Sequence, residues 1–346
     1  MRLGVIRKGN ERLRLKSGMA SLAMAFDIDG VLLRGKDILP GAKQALQGLE
    51  AKRIPYVFVT NGGGCTESAK ASELSEKLGV QVTKDMVCLS HSPMRCLAKE
   101  FGHKRILVLG SNATKIAQED LGLSNTATVT DLANEWPDIF HFTGSSYYVE
   151  RHFGGEKTKP VEEVEAIMVL HDPLDWALEI QVVVDVLRGG LPPGSSQELG
   201  HVPYFMSNAD LLFASRYPEP RFGAGAFTEA VQLLYKRRFG EDCKPVVFGK
   251  PALTTFSYAE KLLLGRCEKL GLSPKLDRVC MVGDNPSGDI KGANEAGGHW
   301  ESHLVCTGVF SRDSSHDNDP TNPADKVHDN VGDCVEWALA TAASKS

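Results

Sequence analysis

The chain alternates short, continuously apolar runs with longer stretches in which apolar residues recur every three or four positions. Runs at 22–26, 56–59 and 279–282 predict buried parallel strands, because a strand that is covered on both faces is apolar throughout. Periodic stretches such as 42–53, which lies between the first two runs, predict helices. The repeated strand–helix order predicts an α/β fold with a Rossmann-like parallel-sheet core and right-handed crossovers.

A long insertion interrupts this order. The interval from Gly62 to Gly249 far exceeds the few residues that join neighbouring elements of an α/β unit, and it has strand and helix patterns of its own. It therefore predicts a second α/β domain, inserted as a cap. The expected division of the chain is a basic leader at 1–20, a core at 21–87 and 241–346, and the cap at 88–240. The run 245–248 is expected to be a strand of the core.

Polar residues follow four of the apolar runs. Asp27 and Asp29 come directly after the first run, and being two positions apart they start on the same side of an extended chain. The residues that follow the other three runs are Thr60 with Asn61, then Lys250, then Asp284. Because the carboxyl ends of parallel strands lie at one edge of a sheet, these side chains are expected to converge. An isolated Asp-x-Asp pair also fits an acidic turn, so the prediction depends on the whole ordered set.

The carboxylates in this set suit phosphoryl transfer. A divalent cation held by Asp27 and Asp284 would offset the repulsion between a carboxylate nucleophile and a phosphate monoester, and hard oxygen ligands favour Mg²⁺. Asp27 would become an aspartyl phosphate, which divides one difficult step into two. Asp29 would protonate the leaving oxygen and then take a proton from the attacking water.

The remaining members of the set suit the substrate's phosphate group. The Thr60 hydroxyl, the Asn61 amide and the N–H groups of the glycine run that begins at Gly62 can hold phosphoryl oxygens. Lys250 supplies positive charge where negative charge accumulates during transfer. The glycine run lacks the third glycine of a dinucleotide-binding fingerprint, so a Rossmann cofactor is not predicted.

Four segments, AFDIDGVL, VTNGGG, FGKP and VGDNPSGDI, resemble in order the four motifs of the haloacid dehalogenase superfamily. The resemblance implies that Asp27 is the nucleophile and that Asp29 is the acid and base, with its backbone carbonyl also on Mg²⁺. It implies that Asp284 is a metal ligand, supported by Asn285 and Asp289. A large domain between the second and third motifs is similar to the C2-type cap of subclass IIA.

Further segments, LSHSPM, HDPLDWALEIQ, SNADLL, PRFGAGAF and VCTGVF, resemble most the eukaryotic group named after cat eye syndrome critical region protein five. The chain departs from better understood subclass IIA phosphatases at 170–173, where those enzymes have a glycine–aspartate pair. Substrate contacts therefore cannot be carried over, and Asn208, Asp210 and Arg221 are predicted candidates near the return from the cap.

The resemblance implies a phosphatase of a small phosphorylated metabolite. Two alternatives stay open at this point: a catalytically weak phosphometabolite-binding or regulatory protein, and a phosphotransferase linked to phospholipid metabolism. The resembled group includes a mitochondrial yeast member, which favours a mitochondrial location over a cytoplasmic one.

Charge is distributed unevenly along the chain. Residues 1–18 carry a net charge of +5, against −5 for the whole chain, so the leader is typical of a mitochondrial transit peptide or of a basic tail. The acidic remainder does not predict a nucleic-acid surface, and no apolar run is long enough to predict a membrane span. The eight cysteines lack a Cys-x-x-Cys pair and are predicted to be reduced core residues. An edge strand of the cap could pair two copies of the chain into a homo-oligomer.

Overall fold

The computed structural model describes residues 22–135, 163–189, 202–213, 217, 219–312 and 317–344. The predicted leader at 1–20 lies outside these ranges. No helix within them is both long enough and apolar enough to cross a membrane.

The described strands alternate with helices along most of the chain. In chain order the strands are β1 (Leu22–Phe26), β2 (Leu33–Arg34), β3 (Asp37–Ile38), β4 (Tyr56–Val59), β5 (Val87–Cys88), β6 (Ile106–Leu109), β7 (Thr126–Ala127), β8 (Ala166–Val169), β9 (Tyr204–Met206), β10 (Leu212–Phe213), β11 (Arg221–Phe222), β12 (Val246–Val247), β13 (Arg278–Gly283), β14 (Trp300–Val305) and β15 (Lys326–His328).

The described helices pack against these strands. The α-helices are α1 (Ala42–Ala51), α2 (Glu67–Leu78), α3 (Ala98–Phe101), α4 (Ala113–Ile116), α5 (Val129–Glu135), α6 (Trp176–Val186), α7 (Ala224–Phe239), α8 (Leu253–Lys269), α9 (Lys291–Ala296) and α10 (Val331–Ser344). Short 3₁₀-helices cover Lys84–Met86 and Ser92–Leu97, and turns of π-helix cover Ala117–Leu121 and Pro286–Ile290.

The core sheet has the spatial order β15-β14-β13-β1-β4-β5 among the described residues, and every neighbouring pair is parallel. All five residues of β1 are buried, as its continuous apolar run predicts. Helix α1 covers one face of the sheet with the buried side chains of Ala42, Leu46 and Leu49, whose three- and four-residue spacing places them on one side of the helix. The predicted parallel-sheet α/β core is therefore confirmed.

The second sheet has the order β12-β9-β8-β6-β7 and is also entirely parallel within the described part of the chain. Its strands come from the predicted cap, with one exception. Strand β12, which was expected to belong to the core, pairs with β9 of the cap sheet. Its apolar residues did not indicate which sheet it joins, and as an edge strand it leaves Val246 55% and Val247 39% exposed. The assignment of the run 245–248 to the core sheet was wrong.

All eight cysteines are free. Five of them are buried, as predicted for core residues, whereas Cys65 and Cys306 are half-buried and Cys96 is exposed. Burial raises the pKa of the Cys280 thiol to about 12 and also raises that of Cys334, so both side chains are protonated in the core.

Candidate active site

Adjacent core strands carry the predicted nucleophile and the predicted metal ligand to one sheet edge. Strand β1 ends before Asp27, whose backbone N–H donates to the Val282 carbonyl oxygen of β13 at 2.9 Å. Gly30 then turns the chain with φ +82°, a conformation that favours glycine. A Cβ at Gly30 would lie 2.3 Å from Oδ2 of Asp284, so glycine also makes room for this carboxylate. Asp27 and Asp284 are both buried.

Lys250 links two of the buried acids. Its Nζ lies 2.7 Å from Oδ1 of Asp27 and 2.6 Å from Oδ1 of Asp289. It also donates to the backbone carbonyl oxygen of Val59, at the end of β4, at 2.8 Å. The Val59 contact has hydrogen-bond geometry, whereas the two carboxylate contacts are close ion pairs. The lysine therefore joins the ends of β1 and β4 to the π-helical turn that contains Asp289.

The electrostatics of this cluster are dominated by crowded carboxylates. Burial, followed by the charges of Asp27 and Asp289, raises the pKa of Asp284 to about 7. Burial and Asp27 raise the pKa of Asp289 to about 6, against the opposing effect of Lys250. Burial alone would lower the pKa of Lys250, but its two acidic partners raise it above the ordinary value, so the ammonium stays charged. One buried cation thus faces three buried carboxylates.

The cluster fits a divalent cation. Asp27, Asp284 and Asp289 each offer a carboxylate oxygen, and these oxygens lie within 4.8 Å of one another. Oxygen-only donors and a negative charge that Lys250 offsets only in part are the features that Mg²⁺ selects. Backbone groups hold Asp284 in place, since the N–H of Val309 donates to its Oδ2 at 2.6 Å. Asp289 supports Lys250 with one oxygen and accepts the backbone N–H of Asn285 with the other at 3.0 Å.

The side chain of Asn285 hydrogen-bonds the start of the π-helical turn beside this cluster. Its Oδ1 accepts the backbone N–H groups of Ser287 at 3.0 Å and Gly288 at 3.3 Å, at the start of the π-helical turn. The predicted supporting residue therefore shapes the turn that delivers Asp289 to Lys250.

Thr60 and the glycine run lie on the other side of the cluster. The backbone N–H of Gly62 donates to Oγ1 of the buried Thr60 at 3.0 Å. Asp29 reaches the same region, because a Cβ at Gly62 would lie 4.0 Å from its Oδ2. The Asp29 side chain is exposed, yet desolvation by the surrounding protein and then the charge of Asp27 raise its pKa. The structure brings together a hydroxyl, a backbone N–H group and a carboxylate whose pKa is raised.

Asn61 makes contacts that its sequence position did not predict. Its Oδ1 accepts the backbone N–H of Lys250 at 2.7 Å, and its Nδ2 donates to the Lys250 carbonyl oxygen at 3.0 Å. Longer contacts of 3.4 Å join the same Nδ2 to Asn208 and Asp210 of the cap. Arg221 lies elsewhere, on the exposed β10–β11 hairpin, with its guanidinium carbon 5.1 Å from the centre of the Tyr217 ring. Two of the three predicted cap contacts thus reach the rim of the site.

Two family models match the chain. A model described as haloacid dehalogenase-like hydrolase covers residues 24–124, and one described as HAD-hydrolase-like covers 247–334. A mitochondrial hydrolase of Saccharomyces cerevisiae is 35% identical over 340 residues, which are 91% of this chain and 96% of the relative. The chain is a haloacid dehalogenase-like hydrolase.

Other relatives of this hydrolase differ in length. A Schizosaccharomyces pombe protein named as a fusion of a CMP-forming cardiolipin synthase and a mitochondrial hydrolase is 34% identical over 96% of the chain. The chain spans about half the length of that protein, 56%. Human glycerol-3-phosphate phosphatase is 26% identical, with 86% of this chain and 84% of the relative covered.

Solved structures share the fold of the hydrolase. A 4-nitrophenylphosphatase from Thermotoga maritima has a TM-score of 0.61 at 22% identity, covering 91% of this chain and 96% of the other. A glycerol phosphate phosphatase from Mycobacterium tuberculosis, solved in complex with magnesium, has a TM-score of 0.60 at 21% identity, covering 90% and 75%.

His171 of the hydrolase lies over the glycine run, and the sequence analysis missed it. A Cβ at Gly63 would lie 3.2 Å from its ring, and one at Gly64 would lie 2.9 Å from it. Burial and the charge of His91 lower the pKa of His171, although Asp172 opposes them. The neighbouring Asp172 accepts the first N–H of α7, from Ala224, at 2.7 Å. The only signal in the sequence was the departure from the family pattern at 170–173.

A second group of metal-ligand residue types lies far along the sheet, at His303, His328 and Cys334. The two imidazoles are inclined by only 11°, with 3.0 Å between Nδ1 of His303 and Nε2 of His328 and 5.3 Å between ring centres. The two ring nitrogens therefore share a direct hydrogen bond. Cys334 completes the group as a buried thiol whose pKa burial raises well above its ordinary value.

Proposed function

We propose that this hydrolase is an Mg²⁺-dependent phosphatase that removes phosphate from a small phosphorylated metabolite through an aspartyl-phosphate intermediate. The observation that carries the proposal is the buried cluster in which Lys250 joins Asp27 to Asp289 beside Asp284. Thr60, whose hydroxyl oxygen accepts the Gly62 N–H at 3.0 Å, follows Val59 directly and would offer its hydroxyl to a phosphoryl group.

The residues divide the reaction into two steps. A carboxylate oxygen of Asp27 attacks phosphorus, the bond to the leaving oxygen breaks, and Asp29 delivers its proton to that oxygen. Asp29 then takes a proton from water while the water oxygen attacks the aspartyl phosphate, which releases inorganic phosphate and restores Asp27. The raised pKa of Asp29 suits the first step, because it favours the protonated form. Lys250 holds Asp27 in position through the 2.7 Å contact.

The side chains of Asp27 and Asp284, with the backbone carbonyl of Asp29, would hold Mg²⁺. When bound, the ion would supply positive charge to the transferring phosphoryl group. Asp289, which is committed to Lys250 and Asn285, would contribute to the site from behind these ligands.

The relatives support the substrate class and the location. Human glycerol-3-phosphate phosphatase and the Thermotoga and Mycobacterium enzymes are named for phosphate monoesters, and the Mycobacterium structure contains magnesium. One yeast relative is named as a mitochondrial hydrolase and the other as a fusion protein that includes a mitochondrial hydrolase, which supports a mitochondrial location for this chain. The segments quoted above support a place in the cat eye syndrome critical region protein five group.

The test compares the wild-type protein with Asp27→Asn on p-nitrophenyl phosphate and a panel of phosphorylated metabolites, with Mg²⁺ or with EDTA. Wild type should release phosphate only with Mg²⁺, and Asp27→Asn should lose at least about a thousandfold in rate. Asp85→Asn, at an exposed carboxylate paired with Lys269, is the matched control and should keep the full rate.

Other outcomes would overturn the proposal. Equal rates in wild type and Asp27→Asn would show that Asp27 is not the nucleophile. Phosphometabolite binding without any release would favour a binding or regulatory protein, and transfer of the phosphoryl group to an acceptor other than water would favour a phosphotransferase.

A further inference from the structure

The backbone of Lys250 belongs to a different sheet from the acids that its ammonium contacts. Lys250 follows β12, which pairs with β9 at the edge of the cap sheet. Its Nζ nevertheless lies among Asp27, Asp289 and the end of β4 in the core. Strand β12 is only two residues long, and the hydrogen bond that continues its pairing, from the Phe248 N–H to the Met206 carbonyl oxygen at 2.8 Å, ends two residues before Lys250.

The amide of Asn61 supplies the missing anchor. It accepts the N–H of Lys250 at 2.7 Å and donates to the carbonyl oxygen of the same residue at 3.0 Å. These two hydrogen bonds fix the backbone of a residue 189 positions away in the sequence. With both ends of the amide engaged, the segment from Val59 to Asn61 holds Lys250 at three points, since the Val59 carbonyl oxygen accepts the ammonium at 2.8 Å.

The residue before Lys250, Gly249, makes room for these two hydrogen bonds. Gly249 has φ +78°, and a Cβ there would lie 2.5 Å from the Ser207 carbonyl oxygen and 3.0 Å from Oδ1 of Asn61. Only glycine allows the chain to turn and approach the amide at this distance. The cap reaches the same amide, because Nδ2 of Asn208 donates to the Asn61 carbonyl oxygen at 3.3 Å.

We infer that Asn61 is a positioning residue, which fixes the backbone of Lys250 so that its ammonium stays on Asp27 while the cap sheet carries the preceding strand. This inference rests on the proposed phosphatase function and goes beyond it. It differs from the role predicted from sequence, in which the Asn61 amide itself binds the phosphate.

The two roles differ in what Asn61→Ala changes. If the amide positions Lys250, kcat should fall about ten- to a hundredfold, as expected when a catalytic group is displaced by about 1 Å, and KM for p-nitrophenyl phosphate should stay within about twofold. If the amide binds phosphate, KM should rise and inhibition by inorganic phosphate should weaken. Asn294→Ala removes a matched asparagine bond to a backbone carbonyl, that of Pro323 at 2.9 Å, and should change neither value.

A double-mutant cycle separates positioning from a general structural effect. In a Lys250→Met background the ammonium is already absent, so adding Asn61→Ala should lower kcat by less than about twofold further. A further loss as large as in the wild-type background would overturn the inference, because Asn61 would then act independently of Lys250.

A crystal structure of Asn61→Ala keeps the inference testable even if the proposed activity fails. Should the wild-type protein release no phosphate, the position of Lys250 still decides the question. We expect its Nζ to lose hydrogen-bond distance to Asp27 or Asp289, and retention of both contacts would overturn the inference.

Discussion

Replacing Lys250 by methionine should destabilise the fold in a way that depends on pH. The change keeps most of the side-chain volume but removes a buried ammonium that contacts Asp27 at 2.7 Å, Asp289 at 2.6 Å and the Val59 carbonyl oxygen at 2.8 Å. The two carboxylates would then be buried beside Asp284 without any neighbouring cation. Removing one partner of a buried ion pair costs about 3–5 kcal/mol.

Proton uptake limits this cost and gives it a pH dependence. A carboxyl group with the reference aspartate pKa of about 3.9 can be held neutral at about pH 7 for roughly 4 kcal/mol, and at about pH 5.5 for roughly 2 kcal/mol. Folded wild type itself takes up a proton as the pH falls, because the pKa of Asp284 is about 7, and the folded variant would bind one proton more. The loss of stability relative to wild type should therefore shrink as the pH falls. The expected loss relative to wild type is therefore about 4 kcal/mol near neutrality and about half of that at the lower pH.

The assay is urea unfolding followed by circular dichroism at both pH values, in EDTA. Lys269→Met is the matched control, because Lys269 pairs with Asp85 on the surface, where both side chains are substantially exposed. Its loss should stay below about 1 kcal/mol and should not vary across this pH range. An equal loss in the two variants, or a Lys250→Met loss that does not shrink at the lower pH, would refute the reasoning.

Two further changes probe the carboxylate cluster. The pKa of Asp284 is raised from 3.8 to about 7, so without Mg²⁺ the folded state loses stability as the pH rises from about 4 to about 7. The free energy of unfolding of wild type minus that of Asp284→Asn, measured in urea, should therefore fall across this range and level off above about pH 7. A difference that stays constant from about pH 4 to about pH 7 would contradict the raised pKa of Asp284. Gly308→Ala would place a Cβ 1.8 Å from Oδ2 of Asp284 and should weaken Mg²⁺ binding, measured by calorimetry, at least about tenfold. Gly288→Ala is the control, because its Cβ would have its nearest contact at 3.7 Å and should leave the affinity unchanged. Equal Mg²⁺ affinities in the two variants would show that Asp284 is no ligand.

The core of the site could be predicted because its chemistry follows buried strands. Strands β1 and β13 are buried throughout and adjacent in the sheet, so Asp27 and Asp284 meet wherever the parallel order holds. Lys250 was also expected at this point, but the reason given was incomplete. Lys250 follows a strand of the cap sheet. Its long side chain and the two hydrogen bonds from Asn61 to its backbone bring its ammonium to the cluster.

The remaining features depend on tertiary contacts that a sequence pattern does not contain. A two-residue apolar run such as β12 pairs equally well with either sheet, so its membership follows from the neighbouring chain path. The amide of Asn61 can bind a phosphate or a backbone, and only the position of Lys250 distinguishes these partners. Arg221 was predicted near the site but lies on an exposed hairpin, and His171 was not predicted but lies over the glycine run. Both positions depend on the path of the cap, which the sequence pattern does not give.

The sheet membership of β12 has a consequence for domain exchange. A chimera that joins this cap to a foreign core at about residue 240 would leave Val246–Val247 in the recipient part, and the transplanted sheet would lose its outermost strand. A junction placed after Pro251 would carry the lysine with its own strand but would require the recipient to provide an amide equivalent to Asn61. Splice sites for such hybrids should therefore be chosen in pairs, one at the end of β4 and one beyond the lysine.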